Sequence, residues 1–220
     1  MDNVVIIGSS GHAKVVADII LAENRLNLVG FLDRDGDTAA AVLGLPVLGK
    51  DTDLPLLLAR HEVTGVIVGI GDNYSRAAVS TRIAGELPEV KFFSAVHPHA
   101  SIARDVAIGD GTVVMAGAVV NAGCKVKRGC IVNTGASLDH DSTMLDFSSL
   151  APGVVTGGNC VIGDHAAIGI GAVIAHGVTV GDHAVVGAGS TVLKDIARFS
   201  VAYGSPARFV RERAVGEKYL

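Results

Sequence analysis

From Ile102 to Val192 every sixth residue is aliphatic or Met, with Thr156 the one exception among sixteen positions. Four places after each of these runs a second register, Val106 to Ile196, made mostly of small residues and holding Cys124, Cys130 and Cys160. Two registers held without slippage over this length are the mark of a repeat architecture. Each hexad predicts one short strand and a corner, with a large side chain inward and a small one where the corner crowds the axis. Three hexads close a triangular coil of 18 residues, so sixteen make about five coils stacked at the strand spacing of ~4.8 Å. Glycines directly after the aliphatic position (Gly109, Gly163, Gly169, Gly181, Gly187) are expected at corners needing unusual backbone angles. The three thiols are read as core fillers.

The first ~90 residues follow a different pattern. The apolar run Asn3 to Ile7 leads into Gly8-Ser9-Ser10-Gly11-His12, followed by Val15, Val16, Ile19 and Ile20 at helical spacing. A second run, Leu26 to Leu32, ends in Asp33-Arg34-Asp35-Gly36. A third, Val63 to Ile70, ends at Gly71-Asp72-Asn73 before a helical stretch from about Tyr74 to Gly85. Strands alternating with helices predict a small parallel α/β sheet, whose ligands bind beyond the carboxyl ends of the strands, where these three loops lie. The expected organisation is an α/β Rossmann-like domain over 1–95, a parallel β-helix over 96–197 and a tail over 198–220.

Composition narrows the function. The chain is 49% hydrophobic but has only nine aromatic residues and 28 glycines, so its core is built of small and β-branched side chains. Eighteen basic against 22 acidic residues, with no Lys/Arg cluster, leave no electrostatic footprint for nucleic acid. Gly, Asp, Asn or His interrupts every candidate membrane span. Met1-Asp2-Asn3 lacks the cationic start of a secretory signal, and three cysteines without ligand-like spacing suit a reduced compartment, so a cytoplasmic location is expected. The glycine loop lacks the G-x-G-x-x-G fingerprint, which disfavours NAD. No carboxylate or Cys/His spacing supports a metal.

Several segments together carry a resemblance: Val5-Ile6-Ile7-Gly8-Ser9-Ser10-Gly11-His12-Ala13-Lys14-Val15-Val16, Gly71-Asp72-Asn73, Asn133-Thr134-Gly135, Asp139-His140-Asp141, Ala151-Pro152-Gly153 and Gly204-Ser205-Pro206-Ala207-Arg208. The chain resembles the hexapeptide-repeat sugar O/N-acetyltransferases, which include sialic acid O-acetyltransferases and N-acetyltransferases of nucleotide-linked amino sugars of the bacillosamine or perosamine type. The resemblance implies that the β-helix is left-handed. It implies acetyl-CoA as co-substrate, a UDP- or GDP-linked amino sugar as acceptor in surface glycan biosynthesis, and a homotrimer. Outward apolar residues such as Val119, Ile131 and Val155 are expected to leave surface for such an assembly to bury.

His140, between Asp139 and Asp141, is the expected general base; without the resemblance, a solvated polar turn fits it equally well. Either aspartate could orient the imidazole. Residues 18 apart stack, so His140, Gly158 and His176 are expected along one edge and Pro152, Ile170 and Ala188 along another. The resemblance places acetyl-CoA against the amides of Gly158, Ile170 and Ala188. Many relatives carry a second histidine nine positions after the base that contributes to the coenzyme A site; this chain has Ser149 there, which the resemblance places at the coenzyme as a hydrogen-bond donor. Lys194, Arg198 and Arg208 are candidate phosphate partners of coenzyme A. Gly8, Ser10, Gly11, His12 and Lys14 are expected to cradle a diphosphate at a helix start, with Asp33, Arg34, Asp72 and Asn73 near the base or ribose. Asn133 is assigned to the sugar. The rival readings are an O-acetyltransferase using the same base and a noncatalytic scaffold that binds nucleotide sugar.

Overall fold

The computed structural model describes residues 1–61 and 63–219. They form two compact units, Met1–Gly71 with Ser75–Pro98, and Asp72–Tyr74 with His99 onward.

The first unit is an α/β sheet. Its elements are β1 (Asp2–Ile7), α1 (Gly11–Glu23), β2 (Leu26–Asp33), β3 (Ala41–Val42), β4 (Leu45–Lys50), α2 (Leu54–His61), β5 (Val63–Val68), α3 (Asn73–Glu86) and β6 (Lys91–Phe92). The strand order is β3-β4-β2-β1-β5-β6, parallel except for the β3–β4 pair. Val4 to Ile7, Phe31, Leu32 and Val66 to Val68 are buried, as continuous apolar strands covered on both faces must be. Ala13, Val16, Ala17, Ile19 and Ile20 supply the buried stripe of α1. Leu54, Leu57 and Ile83 pack into a cluster with Val5, Ile7, Leu32 and Val66. The chain leaves β1 toward β2 on one side and returns to β5 on the other, so the topological switch point lies at the Gly8–Gly11 loop.

The second unit is a parallel β-helix of three faces. The first face holds the strands Ser101–Ile102, Val119–Val120, Ser137–Leu138, Val155–Thr156, Val173–Ile174 and Thr191–Val192. The second holds Lys125–Val126, Thr143–Met144, Val161–Ile162 and Thr179–Val180. The third runs from Val113–Val114 through Ile131–Val132, Ser149–Leu150, Ala167–Ile168 and Val185–Val186 to Ser200–Gly204, which pairs antiparallel with Ala207–Glu212. Partners are 18 residues apart, as in Val119↔Ser137 and Ile131↔Ser149. The inward column is buried from Val114 to Val192, and Ile102 and Ile108 in the first coil are half-buried. All three cysteines are buried in the small-residue column, where burial pushes the Cys124 and Cys160 thiols up.

Two details correct the sequence reading. Gly109, Gly163, Gly169, Gly181 and Gly187 do not take unusual backbone angles; the positive φ values fall two residues later, as at Gly111, Gly171 and Gly189. Glycine follows the inward residue because the next coil lies too close for a side chain. A Cβ at Gly163 would stand 2.6 Å from the Asp182 amide nitrogen, and one at Gly169 would stand 2.6 Å from that of Ala188. Nor is Ile131 an open outward residue. The third face buries Val113, Ile131 and Ala167, whereas Val155 and Val173 on the first face are 46% and 45% exposed.

Candidate active site

His140 stands on the corner between the first and second faces, two residues beyond the inward Leu138. Its Nδ1 lies 2.8 Å from Asp141 Oδ2. A carboxylate only accepts, so Nδ1 carries the proton and Nε2 keeps its lone pair. Asp141 can reach the ring because it adopts the left-handed conformation, φ 57°, with its amide donating to the Ala122 carbonyl at 3.0 Å. Asp139 has a different task. One of its oxygens accepts from the His140 amide at 2.8 Å and from Asn121 Nδ2 at 2.7 Å, which holds its carboxyl below the usual range. The choice the sequence left open thus falls to Asp141 as the imidazole's partner.

The imidazole lies over Gly158, where a Cβ would come within 2.5 Å of Cε1 and Nε2, so only glycine lets the ring lie there. The His176 ring is 6.0 Å away, centroid to centroid. The ring of His140 is half exposed, open to a substrate. Its hydrogen bond to Asp141 raises its pKa above the ordinary imidazole value. A base must be neutral to accept a proton, so the acidic limb of kcat/KM lies at correspondingly higher pH. Replacing Asp141 with Asn removes the bond to carboxylate and lowers the pKa. The acidic limb then moves to lower pH while the plateau falls, which a pH–rate profile of Asp141→Asn checks; a limb that stays put would exclude the pairing.

The expected coenzyme residues divide between corners. Gly158, His176 and Lys194 continue the His140 column, with Lys194 exposed. Asn133, Ile170 and Ala188 lie on the corner between the third and first faces, with Ile170 61% exposed. Among the described residues, the amides of Gly158, Ile170 and Ala188 donate to no backbone carbonyl, unlike their neighbours Asn159, Gly171 and Gly189. Arg208 is exposed on the terminal hairpin, its guanidinium donating to the Ala207 carbonyl at 3.2 Å. Arg198 is exposed on the remaining corner. That corner carries stacked rings, with His165 and His183 centroids 4.5 Å apart and 7° from parallel.

Asn73 departs from expectation, and it does so against Ser149. Asn73 is 1% exposed, and its Nδ2 donates to Ser149 Oγ at 3.0 Å, to the Ala166 carbonyl at 3.0 Å and to the His165 carbonyl at 3.3 Å. Its amide is committed to the third face rather than offered to a nucleotide; Ser149 Oγ accepts one of its bonds and keeps its own O–H as a donor. The neighbouring Asp72 belongs to the same unit and is partly buried.

In the first unit, Ser10 caps α1 without a side-chain bond, leaving the helix start unblocked beside the exposed Gly11 and Lys14. Gly8 has φ 103°, which suits glycine alone. The Ser9 hydroxyl donates to Asp33. Burial would raise the Asp33 carboxyl, but this bond and the amides of Asp35, Arg34 and Ser9 hold it below the ordinary value. Ser9, Asp33, Asp35, Asp37, Ala40 and Val47 line a pocket of about 210 Å³, with Arg34 exposed nearby in sequence. His12 is neutral at pH 7, its pKa lowered to about 4 by burial and by Arg76. Arg76 was not singled out in the sequence; it is 1% exposed and donates to the carbonyls of Ile70 and Gly71 at 3.0 and 2.9 Å, fixing the loop after β5. Its position one turn into a helix after a glycine loop was the available signal. Among the described residues, no three His, Cys, Asp or Glu side chains group to hold a metal, and no helix is long and apolar enough to cross a membrane.

Comparison with known proteins sets this geometry in a family. Residues 3–83 match the PglD N-terminal domain, and residues 159–194 match the bacterial transferase hexapeptide (six repeats). The perosamine N-acetyltransferase from Caulobacter crescentus, solved with CoA and GDP-perosamine, is 34% identical, with a TM-score of 0.89 over 96% of this chain and 98% of that one. The chain belongs to the hexapeptide-repeat sugar acetyltransferases. The acetyltransferase domain of PglB from Neisseria gonorrhoeae, solved with acetyl coenzyme A, is 35% identical with a TM-score of 0.84, over 94% of this chain and 98% of that one. UDP-N-acetylbacillosamine N-acetyltransferase of Bacillus subtilis is 32% identical over 122 residues, covering 53% of this chain. That match spans about half of the relative's length, 52%.

Proposed function

We propose that this acetyltransferase moves the acetyl group of acetyl-CoA onto the amine of a UDP- or GDP-linked amino sugar, in a cytoplasmic step of surface glycan biosynthesis. The observation that carries this reading is the half-exposed His140, with Nδ1 on Asp141 and Nε2 free over Gly158. Nε2 accepts the proton lost as the amine attacks the thioester carbonyl, and Asp141 stabilises the imidazolium; the C–S bond then breaks, coenzyme A leaves as the thiol with that proton, and the imidazole is neutral again. The uncommitted Gly158 amide is the donor assigned to the developing oxyanion. Transfer is direct, because Cys124, Cys130 and Cys160 are buried and offer no nucleophile for an acyl-enzyme. The unblocked start of α1 holds the diphosphate, with Gly8, Ser10, Gly11, His12 and Lys14 around it and Asp33 toward the ribose. The perosamine enzyme, solved with CoA and GDP-perosamine, and the PglB domain, solved with acetyl coenzyme A, support both substrate classes. Thiol release from acetyl-CoA, measured against a panel of UDP- and GDP-linked amino sugars with free sialic acid as control, tests the reading. Turnover with a nucleotide amino sugar supports it, and turnover with sialic acid alone removes it.

The active assembly in this reading is a homotrimer. Gly158 lies on the corner of His140, whereas Asn133, Ile170 and Ala188 lie across the first face on another corner. A coenzyme held by both sets draws them from two copies, whose contact would bury the exposed Val155 and Val173. Light scattering is expected to give three chains per particle at micromolar concentration. A fully active monomer would contradict the shared site.

A further inference from the structure

The inward column breaks its aliphatic pattern once, at Thr156, and the coil ladder breaks at the same place. From Ala103 to Ala175, the amide that follows each inward residue donates to the carbonyl of the inward residue seventeen places on. Asn121 bonds the Leu138 carbonyl at 3.0 Å and Gly157 bonds that of Ile174 at 2.8 Å. Asp139 departs from this rule: its amide donates at 3.0 Å to Thr156 Oγ1 instead of the Thr156 carbonyl. The pairing records the same interruption. Val119–Val120 and Ser137–Leu138 share two partner pairs, as do Val155–Thr156 and Val173–Ile174, but between Ser137–Leu138 and Val155–Thr156 only Ser137↔Val155 survives.

Thr156 is 3% exposed among aliphatic side chains, where the nearly isosteric valine would avoid burying a polar group. The other rungs of this series use a backbone acceptor that valine also supplies. The broken rung is the one beneath the turn Asp139-His140-Asp141. Through Asp139, the Thr156 hydroxyl holds the residue whose carboxylate takes the His140 amide at 2.8 Å, while the His140 carbonyl is fixed by the Asn159 amide at 2.8 Å.

We propose that Thr156 is a positioning residue for the His140 base: by taking the Asp139 amide on its side chain, it opens one rung of the ladder and sets how the imidazole sits over Gly158. This rests on the reading of His140 as base. Thr156 touches no substrate and acts only through the turn. With valine at this position, the Asp139 amide closes onto the backbone carbonyl as on the neighbouring rungs, and the turn is drawn inward with it.

The test compares Thr156→Val, Thr156→Ser and His140→Ala in the full-length protein. Thr156→Val is expected to melt no lower than wild type and to keep KM for both substrates within about twofold. Its kcat should fall roughly ten- to a hundredfold, the scale of a misplaced catalytic group, and the acidic limb of kcat/KM should move as the contact with Asp141 changes. Thr156→Ser keeps the hydroxyl and should retain most of the turnover. Wild-type kcat and pH profile in Thr156→Val, equal impairment of the serine variant, or a parallel loss of melting temperature and activity would each overturn the role. His140→Ala separates the two readings. If it retains turnover, the base assignment falls and the role of Thr156 with it. If it is inactive beside a fully active Thr156→Val, only the role of Thr156 falls.

Discussion

His140→Ala is expected to lower kcat by about 10²- to 10⁴-fold, the usual contribution of a general base, while leaving the fold and the binding of both substrates in place. The side chain is half exposed and, among the described residues, its ring hydrogen-bonds only Asp141, so its removal leaves no cavity and no buried unpaired group. The residual rate should lose the acidic limb of its pH profile, because the group that titrates there is gone. Steady-state kinetics with binding titrations of acetyl-CoA and nucleotide sugar provide the check. A variant keeping more than about a third of wild-type kcat, well outside the general-base range, would move the chemistry elsewhere.

Leu150→Ala is the corresponding test of the scaffold. Leu150 is fully buried in the inward column of the third face, stacked between Val132 and Ile168. Truncation removes apolar contacts and leaves a cavity that rigid coils cannot close, a loss of about 2–5 kcal/mol. Ile102, half-buried in the first coil, provides the contrast, and Ile102→Ala should cost less than half as much. Denaturant unfolding of the two variants gives the comparison. Equal losses would mean that the inward column is not the common core described.

The hexad register was legible because it depends only on residue size at fixed spacing, and the same arithmetic stacked His140, Gly158 and His176 correctly. What escaped depends on relations the spacing does not encode. Asp139 and Asp141 look equivalent as letters; a left-handed φ at Asp141 turns its carboxylate to the ring and leaves Asp139 to the backbone. Gly163 and Gly169 read as tight corners needing unusual backbone angles, although close approach of the next coil is what excludes a side chain. Asn73 ends a segment that resembled a ligand contact, yet it opens α3 and its amide is satisfied by Ser149 and two carbonyls far along the chain. Thr156 was visible as an exception, but its meaning lay in a missing ladder bond. In the first unit, Asp33 at the end of β2 was legible from strand and turn chemistry, whereas the buried Arg76 was hidden in an ordinary helix start.

Mass spectrometry of a nucleotide-linked amino sugar after incubation with acetyl-CoA and the protein tests the central claim most directly. The predicted product carries one added acetyl group on the sugar nitrogen, stable to hydroxylamine as an amide is, and does not form with His140→Ala. An acetyl group on oxygen that hydroxylamine removes, or undiminished acetylation by His140→Ala, would contradict it.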